Sequence, residues 1–226
     1  MRRTLSILLL AVALPFAAAV AQGARPAIAV LPFENGGSYG QDREAFEALE
    51  LGLQALLISE LTRHPGLSVL ERSRITAPPR PAGEGARAID AATAASTGKA
   101  LGARFVVLGA FIDHYGRFRL DARVIDTESG RIVDVVSNDP ALRDRRELYA
   151  MLQSLATRIA AALDVPAAPA AGRAVPTDAV NAYSRGLLHL QRGERAAAAA
   201  AFERALQVAP DLAEAREGLT QAQPGG

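Results

Sequence analysis

Cysteine is absent from the 226 residues. That excludes a disulfide framework, a thiolate metal site and an acylated N-terminal Cys. Lysine is almost absent: Lys99 stands alone, and every other basic side chain is arginine. With the abundance of alanine, this reads as codon bias rather than phosphate recognition. Acid and base cancel to a net charge of +1, which leaves no electrostatic footprint for nucleic acid or an anionic membrane. Long apolar runs are missing too. The stretch Leu5 to Phe16 is shorter than the roughly 20 residues of a spanning helix, and no later run is long enough.

The motifs of catalysis are equally scarce. There is no HExxH and no GxSxG. Ser96-Thr97-Gly98-Lys99 fits SxxK, but its companion motifs are missing and it lies on an alanine-rich helix. Gly98-Lys99 is not a phosphate loop, because Ala100 follows the lysine. The three histidines, His64, His114 and His189, have no ligand spacing; they read as a helix-end, a turn and a packing residue. Asp121, Asp126 and Asp134 alternate with arginines, the pattern of a solvated face rather than a cation cluster. No catalytic, cofactor or metal residue is assigned, and no enzymatic role is expected.

What is present begins with an export signal. Arg2 and Arg3, a short apolar stretch and Ala19-Val20-Ala21 form a secretory leader, residues 1–21, with cleavage expected before Gln22. The mature chain is expected in the periplasm, with no transmembrane segment.

The mature chain is organised around Arg104 to Val136. Phe105 to Ile112 is nearly continuous apolar sequence and predicts a strand covered on both faces. Tyr115-Gly116 makes a turn. Phe118, Leu120, Ala122 and Val124 then alternate with Arg117, Arg119, Asp121 and Arg123, a half-buried strand. Thr127 to Gly130 turns the chain again and Arg131 to Val136 returns, giving a three-strand antiparallel meander.

Before the meander, Ile28, Val30 and Leu31 predict a short strand stopped by Pro32. Phe46, Leu49, Leu53, Leu56, Leu57 and Leu61 predict an amphipathic helix over Glu44–Arg63, with Glu47, Glu50, Gln54 and Glu60 off its stripe. Leu67–Leu70 reads as a strand, Ala77–Gly85 as a surface loop, and Ala88–Leu101 as a helix ended by Gly102. After the meander comes a helix over Asp144–Leu163, striped by Leu148, Leu152, Leu155, Ile159 and Leu163. The order β-α-β-α-β-β-β-α implies an α/β (α+β) fold, a mixed sheet with helices packed on it.

These segments, IAVLPFENGG, ISELTRHPGLSVLERSRI, GKALGARFVVLGAF and RLDARVIDTESGRIV, together resemble the CsgG/TolB-N-like periplasmic families. Those include the curli secretion component CsgG and the flagellar FlgO proteins. The resemblance covers about residues 26–163. It implies a non-enzymatic accessory or scaffold role in outer-membrane assembly, secretion or appendage biogenesis, through binding to envelope proteins. It also admits assembly with further copies of this chain. A regulator of an envelope enzyme such as a peptidoglycan synthase is the alternative. The chain departs from CsgG in lacking the acylated Cys and room for membrane hairpins, so a pore is not expected.

Residues 164–176 are rich in Pro and Ala and read as a linker between the 22–163 domain and a second unit at 177–222. Tyr183, Gly186, Gly193, Ala198, Phe202, Ala205 and Pro210 resemble a single tetratricopeptide repeat, with Asp211–Gln221 as a capping helix. In that repeat Tyr183, Leu187 and Leu190 would line the concave face. The stripe is expected to stay exposed and to bind protein, and few contacts are expected across the linker.

Overall fold

A computed structural model of the chain describes residues 25–40, 42–75, 89–137, 141–168 and 173–223. The leader, the loop Ala77–Gly85 and Pro140 lie outside the described residues.

The sheet grows outward from its most buried strand. β1 (Ala27–Val30) is hydrogen-bonded on both sides by parallel neighbours, β3 (Ser68–Val69) and β4 (Phe105–His114). Covered on both faces, it has no polar position. β4 and β5 (Arg117–Asp126) pair in register from Phe105↔Asp126 to His114↔Arg117. The turn between them has positive φ at both Tyr115 and Gly116, the backbone whose twist matches a tight hairpin. β6 (Ile132–Ser137) pairs antiparallel with β5 and ends the sheet. Two short additions, β2 (Glu34–Asn35) on β4 and β7 (Arg143–Asp144) on β5, complete a mixed α/β sheet of order β3-β1-β4-β5-β6. The meander thus folds as its alternation requires: Phe118, Leu120, Ala122 and Val124 are buried, and their arginine neighbours are not.

Helices cover the two faces unequally. α2 (Ala91–Ala100), capped by Asp90, which accepts from the Thr93 N–H at 2.7 Å, lies over Ala29, Leu31, Val106 and Leu108. α1 (Arg43–Thr62), capped by Asp42, and α3 (Leu148–Ala162) cover the other face, where Val30, Val107, Phe118 and Leu120 form the core. α3 starts later than the expected Asp144. Arg143 and Asp144 pair instead with Phe118 and Arg117, and the Asp144 carboxylate caps a short 3-10 turn over Arg145–Glu147.

Beyond α1 lie α4 (Thr177–Gln191), α5 (Arg195–Val208) and α6 (Ala213–Ala222). α4 and α5 form a close hairpin. A Cβ on Gly186 would stand 2.5 Å from the Phe202 ring, so only glycine lets this wholly buried ring in.

Two expectations are corrected here. Gln54 and Glu60 do not face water; both are buried. α1 is a central helix rather than a surface one, with the sheet on one side and α4 on the other, so its polar residues need internal partners. Gln54 donates to the Val30 carbonyl at 2.8 Å, and Glu60 accepts from the Tyr149 hydroxyl at 2.5 Å. The second correction concerns the contacts across 164–176, which are many. Tyr183 and Phe202 belong to the same apolar cluster as Leu53 and Leu155, and Val175 is buried in it. The described parts of the segment are pinned: the Ala168 N–H donates to His64 Nδ1 at 3.1 Å, and Arg173 reaches Glu214.

Candidate functional site

Where the two halves of the chain meet, α1, the 3-10 turn at Arg72–Arg74, α4 and α6 leave a cleft of about 580 Å³. That is the size of a ligand or peptide-anchor site. Its floor is apolar: Ala55 and Ile58 from α1, Tyr183 and Leu187 from α4, Gly218 from α6. Its wall carries Ser59, Arg72 and Glu214. Helical spacing explains the floor, since Ala55, Ile58 and Ser59 share one face of α1, and Tyr183 and Leu187 one face of α4.

Glu214 is already engaged. Arg173 grips it with both terminal nitrogens, Nη1 at 3.0 Å from Oε1, and the Ser59 hydroxyl donates to Oε1 as well. Burial alone pushes the Glu214 carboxyl up; the Arg173 and Ser59 bonds together outweigh it and hold the group below its ordinary range. Arg173 also lies over the Tyr149 ring, its guanidinium 5.6 Å from the centroid. The chain Ser59–Glu214–Arg173–Tyr149–Glu60 is therefore a polar strut that joins α6 to α1 and α3 along one side of the cleft.

Two groups on the cleft differ. Tyr183 is 4% exposed, yet its hydroxyl has no hydrogen-bond partner among the described residues. Arg72 is half-buried, and its guanidinium has no partner among them either. Burial pushes the Tyr183 phenol up, and Arg72 nearby pulls it part of the way back. Both open onto the cleft, so each is a donor available to an acceptor there.

The stripe expected to be exposed is thus mostly covered. Tyr183 and Leu187 are buried and Leu190 half-buried, because α4 packs on α1 and α6 closes over it. Tyr183 and Leu187 reach the surface only as the cleft floor, and Leu190 is not among its lining residues. The histidines are dispersed. His64 is buried at the C-terminal end of α1, His114 stacks edge-on with exposed Tyr39 and Tyr115, and His189 pairs with Glu194 at 2.5 Å rather than merely packing. Asp126 is held far down by Arg104, Asp121 is paired with Arg119 at 2.8 Å, and Asp134 accepts from the Val135 N–H. Ser96 and Lys99 are both exposed on α2.

Sequence reading missed Arg72, Arg173 and Glu214. Only Arg173 left a signal, as the one charged residue of Val165–Pro176.

No protein-family profile and no curated protein matches the chain. Solved structures with partial similarity include TolB from Acinetobacter baumannii (22% identity, TM-score 0.36), where the match covers 62% of this chain. This chain spans only 28% of that TolB's length. The LpoB C-terminal domain from Salmonella enterica is 14% identical, with 50% of this chain and 80% of that one covered and a TM-score of 0.34. The PelC dodecamer from Paraburkholderia phytofirmans is 17% identical, with 63% and 90% covered and a TM-score of 0.39. At these values they are likenesses alone and assign no function.

Proposed function

We propose that this chain is a non-enzymatic accessory protein of the periplasm that works by binding another envelope protein, in outer-membrane assembly, secretion or appendage biogenesis. The observation that carries the reading is the cleft, whose apolar floor meets two polar groups with no partner among the described residues. An apolar floor beside a few polar groups is the make-up of a ligand or peptide site. The leader supports export, and the ordered motifs that resemble the CsgG/TolB-N-like families support the envelope setting. A non-catalytic role is supported by the state of Ser59, which donates to a carboxylate already neutralised by arginine. A base so occupied does not activate a nucleophile. Among the described residues, no helix is long and apolar enough to cross a membrane.

Affinity capture of the tagged chain from envelope extract tests this reading. A secretion, assembly or appendage component is expected to co-purify, and the recovered chain should begin at Gln22. Recovery of a peptidoglycan synthase instead would favour the regulator. Capture of no partner at near-equal amounts would refute the binding role.

A further inference from the structure

The unoccupied donors of the cleft narrow what it binds. Three acidic or basic groups line it beyond Arg72 and Glu214: Arg63, Glu71 and Glu217. Arg63 is tied to Glu60 at 4.0 Å, and Glu214 is neutralised by Arg173. Glu71 and Glu217 are exposed at the rim, where water screens them. Among the described residues, the cation left over on the half-buried wall is Arg72, and Tyr183, whose hydroxyl has no partner among them, lines the same cleft. Both donate. Beside them the floor of Ile58, Leu187 and Gly218 accepts only apolar surface.

We infer that the cleft takes an extended internal segment of the partner in which a side-chain carboxylate adjoins an apolar side chain. The carboxylate meets Arg72 and the Tyr183 hydroxyl, and the apolar side chain lies over Ile58 and Leu187. An internal segment fits better than a free C-terminus. Its main chain continues on both sides of the anchor and offers N–H donors to the rim carboxylates Glu71 and Glu217 from both, where a chain end offers them from one side only. The inference rests on the binding role proposed above.

Fluorescein-labelled, C-amidated decapeptides with a central Leu-Asp, Leu-Asn or Leu-Lys pair, and one ending in a free Leu carboxylate, are titrated against the full mature chain. Charge-assisted hydrogen bonds to carboxylate predict roughly tenfold or greater preference for Leu-Asp over Leu-Asn. Arg72→Gln should erase that preference with an unchanged melting temperature, since Arg72 has no partner among the described residues to lose. Tyr183→Phe, which keeps the buried ring, should weaken Leu-Asp binding several-fold and Leu-Asn binding less, because the ionised acceptor makes the stronger bond. Equal affinity for Leu-Asp and Leu-Asn, full preference retained in Arg72→Gln, or binding of the free-carboxylate peptide alone overturns the inference. If the envelope partner is captured equally by wild type and Arg72→Gln, or is captured while no peptide binds up to millimolar concentration, the inference fails and the binding role stands. If nothing is captured and nothing binds, both fail.

Discussion

Gly52 on α1 provides a test, with a sign, of whether the C-terminal helices are built onto the α/β core. An ideal Cβ at Gly52 would stand 1.8 Å from Ser184 Oγ, 2.7 Å from its Cβ and 3.1 Å from its Cα. Ser184 is wholly buried and its hydroxyl donates to the Val180 carbonyl at 2.7 Å. Its side chain therefore has nowhere to turn, and Gly52→Ala must push α4 away from α1. Two terms oppose each other. Alanine is better than glycine in a helix interior by about 1 kcal/mol, while overpacking costs roughly 1–3 kcal/mol. The expected result in the wild-type protein is no gain, or a loss of up to about 2 kcal/mol by the same two terms. In a Ser184→Gly background the clashes with Oγ and Cβ vanish, and only the looser approach to the backbone of residue 184 stays. There the same substitution should stabilise, by up to about 1 kcal/mol. Urea denaturation of the four proteins measures the coupling, expected at about 1–3 kcal/mol. If Gly52→Ala stabilises both backgrounds equally, α4 does not sit on α1 as described.

Two further expectations follow from burial. Replacing Tyr183 and Leu187 together with Ser, harmless on an exposed stripe, should here cost well over the ~0.5 kcal/mol of a surface change; chemical denaturation at the wild-type level would refute the covered position of these residues. The acid limb of stability reports on Glu214. Its folded pKa lies below its unfolded value of about 4.3, so its contribution is fully present above that pH and is lost as pH falls through the folded pKa. Glu214→Gln should flatten this loss, and an unchanged stability profile between pH 5 and 2 would count against the Arg173–Glu214 pairing.

Local pattern made much of this fold legible. Alternation at Phe118–Val124 names the buried face of β5 because a strand offers only two faces. The turn at Tyr115-Gly116, the meander and the stripes of α1 and α3 follow from spacing in the same way. Each of these depends on residues a few positions apart, and short-range chemistry is enough to decide them.

What failed to be read depends on residues far apart in the chain. Gln54 and Glu60 look like solvent positions until β1 and α3 pack against α1; then the Val30 carbonyl and the Tyr149 hydroxyl supply their partners. The Tyr183 stripe has the composition of a binding face, and also of a core face, and spacing does not separate the two. Sequence by itself determined the longer strands and helices and which of their faces are apolar, but not the two-residue strands β2 and β7. Only the tertiary structure decided what covers those faces. That choice brought Arg72 and Tyr183 to one cleft and Arg173 onto Glu214, because a docked helix brings together charges and hydroxyls that no local periodicity relates.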